Sequence, residues 1–105
     1  MSKPLMVTTT FANQADALRL ARLLLERKLI ACAQLSGSTQ SLYWWQNEIV
    51  DATEIVMTMK TTKCLFAELA QVIQEHHPYD VPEIVGTEIV AISQSYRNWL
   101  ESEVK

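Results

Sequence analysis

Two adjacent histidines, His76 and His77, are the residues whose type points most directly to chemistry. Imidazole nitrogen is a preferred ligand of copper and zinc. Neighbouring side chains project about 100° apart on a helix and to opposite sides of a strand, so the pair cannot easily chelate one ion alone. A metal site here needs further ligands, such as Cys64, Glu83 or groups of a neighbouring subunit. The alternative is structural: His76 extends an apolar helix stripe, and His77 caps the helix C-terminus, where a positive charge is favoured.

A phenol and a carboxylate follow the histidines closely, at Tyr79 and Glu83. Together with the imidazoles they predict a small polar pocket between subunits. Lys60, at the end of a predicted strand, either binds an anion there or pairs with Glu83. The alternatives are that Glu83 accepts hydrogen bonds from backbone donors, that Tyr79 packs under its own loop and that Lys60 is a surface lysine.

An aromatic run, Tyr43, Trp44 and Trp45, has the composition of a ligand platform. Aromatic side chains in a long hairpin are more typical of the core of a subunit interface, because they bury a large area with few rotatable bonds. The sequence therefore predicts that these three residues lie in an oligomer interface.

The composition excludes several classes of protein. The chain has 105 residues, 49% of them apolar, and a net charge of −3 with nine scattered basic residues, which predicts one domain over 1–105 and no binding to nucleic acid or an anionic membrane. Its two glycines rule out a glycine-rich phosphate loop or a dinucleotide fingerprint. No motif pairs a nucleophile with a base, so we expect neither enzymatic activity nor an organic cofactor.

The cellular location is inferred from two absences in the sequence. No apolar run approaches the ~20 residues needed to span a bilayer. The first twelve residues lack the apolar core of a signal peptide, because three threonines interrupt it. We therefore expect a cytoplasmic protein that keeps both of its cysteines reduced.

Hydrophobic periodicity predicts four strands and three helices. The predicted order begins with a strand over 5–11, a helix over 14–29 capped by Asn13, a strand over 30–35 that continues after 36–38 through 42–45, and a strand over 49–61 after a turn at 46–48. It goes on with a helix from a Thr61 or Thr62 cap to about 76, an irregular segment over 76–83, a strand over 84–92 and a last helix capped by Ser93 or Ser95. This is an α+β, ferredoxin-like βαββαβ fold with an antiparallel sheet, a long hairpin between its second and third strands and a C-terminal helix.

Such a fold predicts an oligomer. Both main helices cover one face of the sheet and leave the other face open, although apolar residues alternate onto both faces. The long hairpin also overhangs the shorter strands, and an unpaired overhang is prone to aggregate unless another chain pairs with it. A closed ring of identical subunits resolves both problems. The alternative is a monomer whose C-terminal helix covers the open face.

Several segments resemble one family when they are taken together. The residues at 31–33 (ACA), 41–45 (SLYWW), 60–61 (KT) and 76–83 (HHPYDVPE) resemble the CutA family of divalent-cation tolerance proteins in order and spacing, along nearly the whole chain. The resemblance implies a ferredoxin-like homotrimer in the cytoplasm that contributes to tolerance of divalent metals. It implies copper as the usual ion and no established enzymatic activity.

Two positions depart from the family pattern. The metal site proposed for bacterial members joins a cysteine of the first strand to the histidine pair, and Thr9, a poor ligand for soft metals, stands at that position. Asn47 stands where the hairpin turn usually has glycine, which keeps the turn feasible. The resulting hypothesis is a trimer that binds copper, another divalent metal or a small ligand around residues 76–83. The competing hypotheses are a PII-like signalling module for an anionic metabolite and a stable trimeric scaffold without a ligand.

Overall fold

A computed structural model describes residues 2–105 and places a four-stranded antiparallel sheet at the centre of the fold. The elements are β1 (Pro4–Phe11), α1 (Gln14–Glu26), β2 (Cys32–Trp45), β3 (Glu48–Thr62), α2 (Phe66–His76) after a 3-10 turn (Lys63–Leu65), β4 (Val85–Glu88) and α3 (Gln94–Glu103). The strand order is β2-β3-β1-β4. The predicted α+β, ferredoxin-like order is confirmed.

The core lies between one face of the sheet and the two helices α1 and α2. The sheet contributes Val7 and Phe11 from β1 and Met57 and Met59 from β3, all fully buried. The helices contribute apolar residues at helical spacing: Ala17, Leu20, Ala21 and Leu24 of α1, and Leu69, Val72 and Ile73 of α2. One face of each helix is therefore apolar. Because both apolar faces pack into the same core cluster, the two helices lie on the same side of the sheet.

The hairpin of β2 and β3 reaches well beyond the rest of the sheet. β1 pairs with β3 only from Ile55 to Thr62, so residues 48–54 of β3 pair with β2 alone. We call residues 39–54 the hairpin arm. It makes the chain elongated, 44 × 26 × 22 Å, with a radius of gyration of 14.2 Å where about 13 Å is typical of a domain this size.

Three predicted local features of the backbone are confirmed. The Asn13 side chain accepts a hydrogen bond from the Asp16 N–H at 2.9 Å and caps α1. Ser93 caps α3 in the same way. Gln46 and Asn47 form the hairpin turn with positive φ at both positions, as two-residue turns between twisted strands require.

Four predicted element boundaries are wrong, each for a local reason. The helix predicted over 14–29 ends at Glu26, and Lys28 turns the chain with φ 57°, while Leu29 stays buried outside the helix. The strand predicted over 84–92 pairs only over Val85–Glu88, where β1 lies beside it. The second strand continues past 36–38 as predicted, with a bulge there, but it begins at Cys32 and not at residue 30. Thr62 begins a 3-10 turn without a side-chain cap, so α2 starts later than predicted.

The C-terminal helix covers part of the second sheet face. Cys32 lies opposite Lys60 in the sheet, on the face away from Met57 and Met59. The Tyr96 hydroxyl lies 3.6 Å from Cys32 Sγ, which places α3 against that face. α3 thus covers one end of the second face but not the hairpin arm. Within residues 2–105 no helix is long and apolar enough to cross a membrane.

Candidate functional site

Both ring nitrogens of His77 form hydrogen bonds within the chain. The ring is buried, stacks on Phe11 with ring centroids 4.3 Å apart, and its Nε2 donates to the Thr10 carbonyl at 2.7 Å. Its Nδ1 accepts from the Tyr79 N–H at 3.0 Å. A carbonyl only accepts, so the neutral ring carries its proton on Nε2. Burial lowers the pKa of His77, opposed by the Thr10 carbonyl and by the charges of Asp16 and Glu54.

His76 has the opposite arrangement. It is exposed at the last turn of α2, and its Nδ1 lies 3.0 Å from the Val72 carbonyl. The carbonyl must accept, so Nδ1 carries the proton and Nε2 keeps a free lone pair. A ring held by one nitrogen through a backbone carbonyl, with the other nitrogen unprotonated, is the usual arrangement of a metal-binding histidine.

The loop after α2 is attached to the hairpin arm through a buried carboxylate. The Tyr79 hydroxyl donates to Glu54 Oε2 at 2.9 Å. Burial raises the pKa of the Tyr79 phenol, and the hydrogen bond to Glu54 raises it further, so the phenol remains a donor. Glu54 is only 6% exposed. Glu54 was not predicted as a site residue, because it is one of three acidic residues of β3 and nothing in the sequence distinguishes it from Glu48 and Asp51.

A cleft of about 570 Å³ opens beside this contact. One wall is the hairpin arm, the other is the loop over 79–83, and Thr10 of β1 lies between them. The aromatic residues at the cleft are Tyr43, Trp45 and Tyr79, and its acidic residues are Glu54, Asp80 and Glu83. The predicted neighbours Tyr79 and Glu83 therefore do share a cleft within one chain.

Lys60 and Thr9 lie elsewhere. Lys60 is on the second sheet face, where its Nζ donates to Gln34 Oε1 at 2.6 Å, and it does not line the cleft. Thr9 is fully buried and lies opposite Met57, on the sheet face that carries the helices. Its Oγ1 has no hydrogen-bond partner among residues 2–105.

The three aromatic residues of the arm are divided between its two faces. Tyr43 and Trp45 line the cleft, while Trp44 points the other way and is 72% exposed. Directly opposite Trp44 in the sheet lies Ile49, which is 65% exposed. We call Trp44 and Ile49 the outer arm pair.

No complete metal site is formed by the described part of one chain. Among residues 2–105, no three side chains of His, Cys, Asp or Glu are grouped closely enough to hold a metal ion. The two thiols, Cys32 and Cys64, are free. Hydrogen bonds of the exposed Cys64 with Ser2 and Thr62 lower the pKa of its thiol.

Comparison with known proteins identifies the family. The family model described as "CutA1 divalent ion tolerance protein" matches residues 5–103. The chain belongs to the CutA1 family.

Individual CutA1 relatives match over almost their whole length. The divalent-cation tolerance protein CutA of Pyrococcus horikoshii is 37% identical over 101 residues, covering 96% of this chain and 98% of its own. The crystal structure of the Thermus thermophilus protein has a TM-score of 0.93 at 32% identity and covers 97% and 99% of the two chains. The CutA1 structure from Oryza sativa has a TM-score of 0.95 at 28% identity, with coverage of 99% and 95%. The resemblance identified in the sequence is confirmed.

Proposed function

We propose that this CutA1 protein is a cytoplasmic, non-enzymatic homotrimer that contributes to divalent-cation tolerance by binding copper or another divalent metal ion. The family is named for this tolerance. The metal, the assembly and the compartment are our proposals.

The free Nε2 of His76 is the observation that carries the metal proposal. The hydrogen bond from Nδ1 to the Val72 carbonyl fixes the tautomer and the ring orientation, and the exposed ring presents the lone pair of Nε2 to solvent. Imidazole in this state suits Cu²⁺ and Zn²⁺. His77 is not equivalent, because both of its nitrogens already have partners. Of the predicted pair, we therefore propose His76 alone as the ligand.

One imidazole does not make a site of useful affinity. Structural and catalytic zinc sites, for example, use at least three protein ligands. Since residues 2–105 of one chain do not group three candidate ligands, we propose that neighbouring subunits complete the set. The replacement of the family's cysteine by the buried Thr9 leads us to expect weaker copper binding than a thiolate site would give.

The exposed apolar surface of the arm supports the homotrimer. Trp44 and Ile49 are 72% and 65% exposed in the single chain. Large apolar side chains at such exposure are typical of a subunit contact. We propose that both faces of the arm contact neighbouring subunits, the outer arm pair on one face and Tyr43 and Trp45 on the other. The number three comes from the family resemblance.

Calorimetric titration with Cu²⁺ and Zn²⁺ tests the metal proposal. We expect wild-type protein to bind at least one of these ions, and His76→Gln to weaken that binding at least tenfold. Glu103→Gln is the control, since it removes an exposed carboxylate of α3 and is expected to keep wild-type affinity. Unchanged affinity in His76→Gln would disprove the role of His76. Heat from a nucleotide panel, with none from either metal, would instead favour the PII-like hypothesis.

A further inference from the structure

The cleft beside Tyr79 carries negative charge that its own chain does not balance. Its acidic residues are Glu54, Asp80 and Glu83, and within residues 2–105 no lysine, arginine or histidine lines it. In the same part of the chain, no basic side chain lies within ion-pair distance of these carboxylates. Like charges that share a confined space repel one another, and a cation placed among them relieves the repulsion. The cleft therefore favours a positively charged group.

The cleft opens onto the proposed subunit contact. Two of its walls are Tyr43 and Trp45, which are 40% and 41% exposed in the single chain and belong to an arm face that we place against a neighbouring subunit. A neighbour that covers these walls also removes water from the carboxylates between them. Carboxylates lose hydration on such burial and then need a counter-charge or several donors. We therefore expect the neighbour to supply a cation.

Few basic residues remain to serve as that cation. Salt bridges within the chain already pair a first set: Lys3, Arg19, Lys63, Arg97 and Lys105. Among residues 2–105, the basic residues without a carboxylate partner include Arg22 in α1 and Arg27 and Lys28 directly after it. These three are exposed on the helix side of the sheet. Lys60 completes the set, and it lies in a strand, β3.

Lys60 lies half-buried on the second sheet face, which α1 and α2 leave uncovered. Its Nζ donates to Gln34 Oε1 at 2.6 Å, which is an uncharged acceptor. An ammonium group has three donors, so Nζ can keep this bond and still bind a carboxylate. The four-carbon stem can pack along an apolar surface with the charge at its end. Lys60 is therefore a cation without a counter-charge, on a face that an oligomer is expected to cover.

From these complementary charges we propose that Lys60 of one subunit enters the cleft of a neighbouring subunit and pairs there with Glu83, between the walls Trp45 and Tyr79. The exposed Glu83 lies at the mouth of the cleft, and the buried Glu54 adds a second negative charge behind it. The aromatic walls attract the ammonium group and pack against its stem. The inference rests on the proposed homotrimer and names the residue that each subunit contributes to its neighbour; by symmetry the pair forms in every cleft.

Charge reversal tests the pair in the assembled protein. Native mass spectrometry measures how fast subunits exchange between unlabelled and isotope-labelled trimers. Lys60→Glu places a carboxylate among carboxylates, and we expect it to speed exchange at least tenfold. Arg22→Glu makes the same charge reversal at an exposed residue of α1 and should exchange at the wild-type rate.

The double variant Lys60→Glu, Glu83→Lys restores an opposite-charge pair with its direction reversed. We expect it to exchange at least tenfold more slowly than Lys60→Glu. This rescue separates a direct contact from a general loss of folding, because a misfolded Lys60→Glu protein would not be repaired by a second charge change at residue 83.

Chemical cross-linking locates the contact independently of charge. In a Cys32→Ser, Cys64→Ser background, Lys60→Cys combined with Glu83→Cys should be joined by a short bismaleimide into species of two and three chains. Arg22→Cys combined with Glu83→Cys should give single chains only.

Three results would overturn the inference while leaving the homotrimer intact: wild-type exchange in Lys60→Glu trimers, no rescue by the double variant, or trimers whose 60 and 83 cysteines join no second chain. A wild-type protein with the mass of one chain would instead overturn the homotrimer, and this inference with it.

Discussion

At the scale of single residues, the His77 ring joins the end of α2, the last residues of β1 and the loop that follows. It stacks on Phe11, donates to the Thr10 carbonyl and accepts from the Tyr79 N–H. Protonation would convert Nδ1 from acceptor to donor and set it against that N–H. The neutral ring is therefore part of the folded structure.

Stability is predicted to fall as the pH is lowered through about 6.5. Burial holds the pKa of His77 below its ordinary 6.5 in the folded state, although Asp16 and Glu54 oppose the shift. Below pH 6.5 the unfolded chain therefore binds more protons than the folded one, which favours unfolding. Urea denaturation at a series of pH values measures this.

A phenylalanine variant isolates the contribution of His77. His77→Phe keeps the stack on Phe11 but leaves the Thr10 carbonyl and the Tyr79 N–H without partners. We expect it to cost about 1–3 kcal/mol at pH 7 and to flatten the pH dependence. A slope that persists in His77→Phe would contradict this assignment.

Two buried threonines give opposite predictions for the same substitution. Thr9 and Thr61 are both fully buried, but Thr9 Oγ1 has no partner among residues 2–105, while Thr61 Oγ1 donates to the Leu29 carbonyl at 2.7 Å. Thr9→Val is expected to raise the free energy of unfolding by about 1 kcal/mol, and Thr61→Val to lower it by about 1–2 kcal/mol. Chemical denaturation measures both, and a loss of stability in Thr9→Val would contradict the structure.

The sequence predicted some of the residues that share the cleft but not the contacts that place them. Of the three residues expected in one pocket between subunits, Tyr79 and Glu83 line one cleft of a single chain, and Lys60 does not. Glu54 was missed because its contact with Tyr79 spans 25 residues and depends on how the arm meets the loop. The different states of His76 and His77 depend on which carbonyl each ring reaches, which no spacing rule specifies.

At the scale of elements, the hairpin arm is the feature that the sequence predicted best. Its two apolar runs and the polar turn between them lie where alternation and turn composition place them. The ends of α1 and β4 were wrong because apolar residues continue past both elements. Leu29 and Ile30 are buried without belonging to α1, and Ile89 adds only one backbone bond, to Pro4, beyond β4.

The turn of the arm can be made more stable. Gln46 and Asn47 both have positive φ, at 49° and 65°, a conformation that costs most residues other than glycine about 1–2 kcal/mol. The double variant Gln46→Asn, Asn47→Gly gives the Asn-Gly pair preferred in such turns. We expect the free energy of unfolding to rise by about 1 kcal/mol in urea. Val50→Gly, inside β3, should instead lower it, and a destabilised double variant would contradict the turn geometry.

At the scale of the whole molecule, a single subunit is elongated and has exposed apolar residues along its longest element. The arm presents Trp44 and Ile49 on one face and the acidic, aromatic cleft on the other. Periodicity predicted this exposure in outline, since apolar residues alternate onto both faces of the strands. Periodicity did not predict the bulge in β2 or the packing of α3 on part of the second sheet face, because both depend on tertiary contacts.

The most direct test of the account is the mass of the protein in solution. Sedimentation equilibrium at micromolar concentration should give one species with three times the mass of the 12.0 kDa chain. The double variant Trp44→Ser, Ile49→Ser should shift that mass toward one chain, whereas Leu18→Ser, at a 42% exposed leucine of α1 outside the arm, should not. A wild-type protein that sediments as a stable, compact single chain would contradict the proposed assembly, and with it the metal site completed by neighbouring subunits.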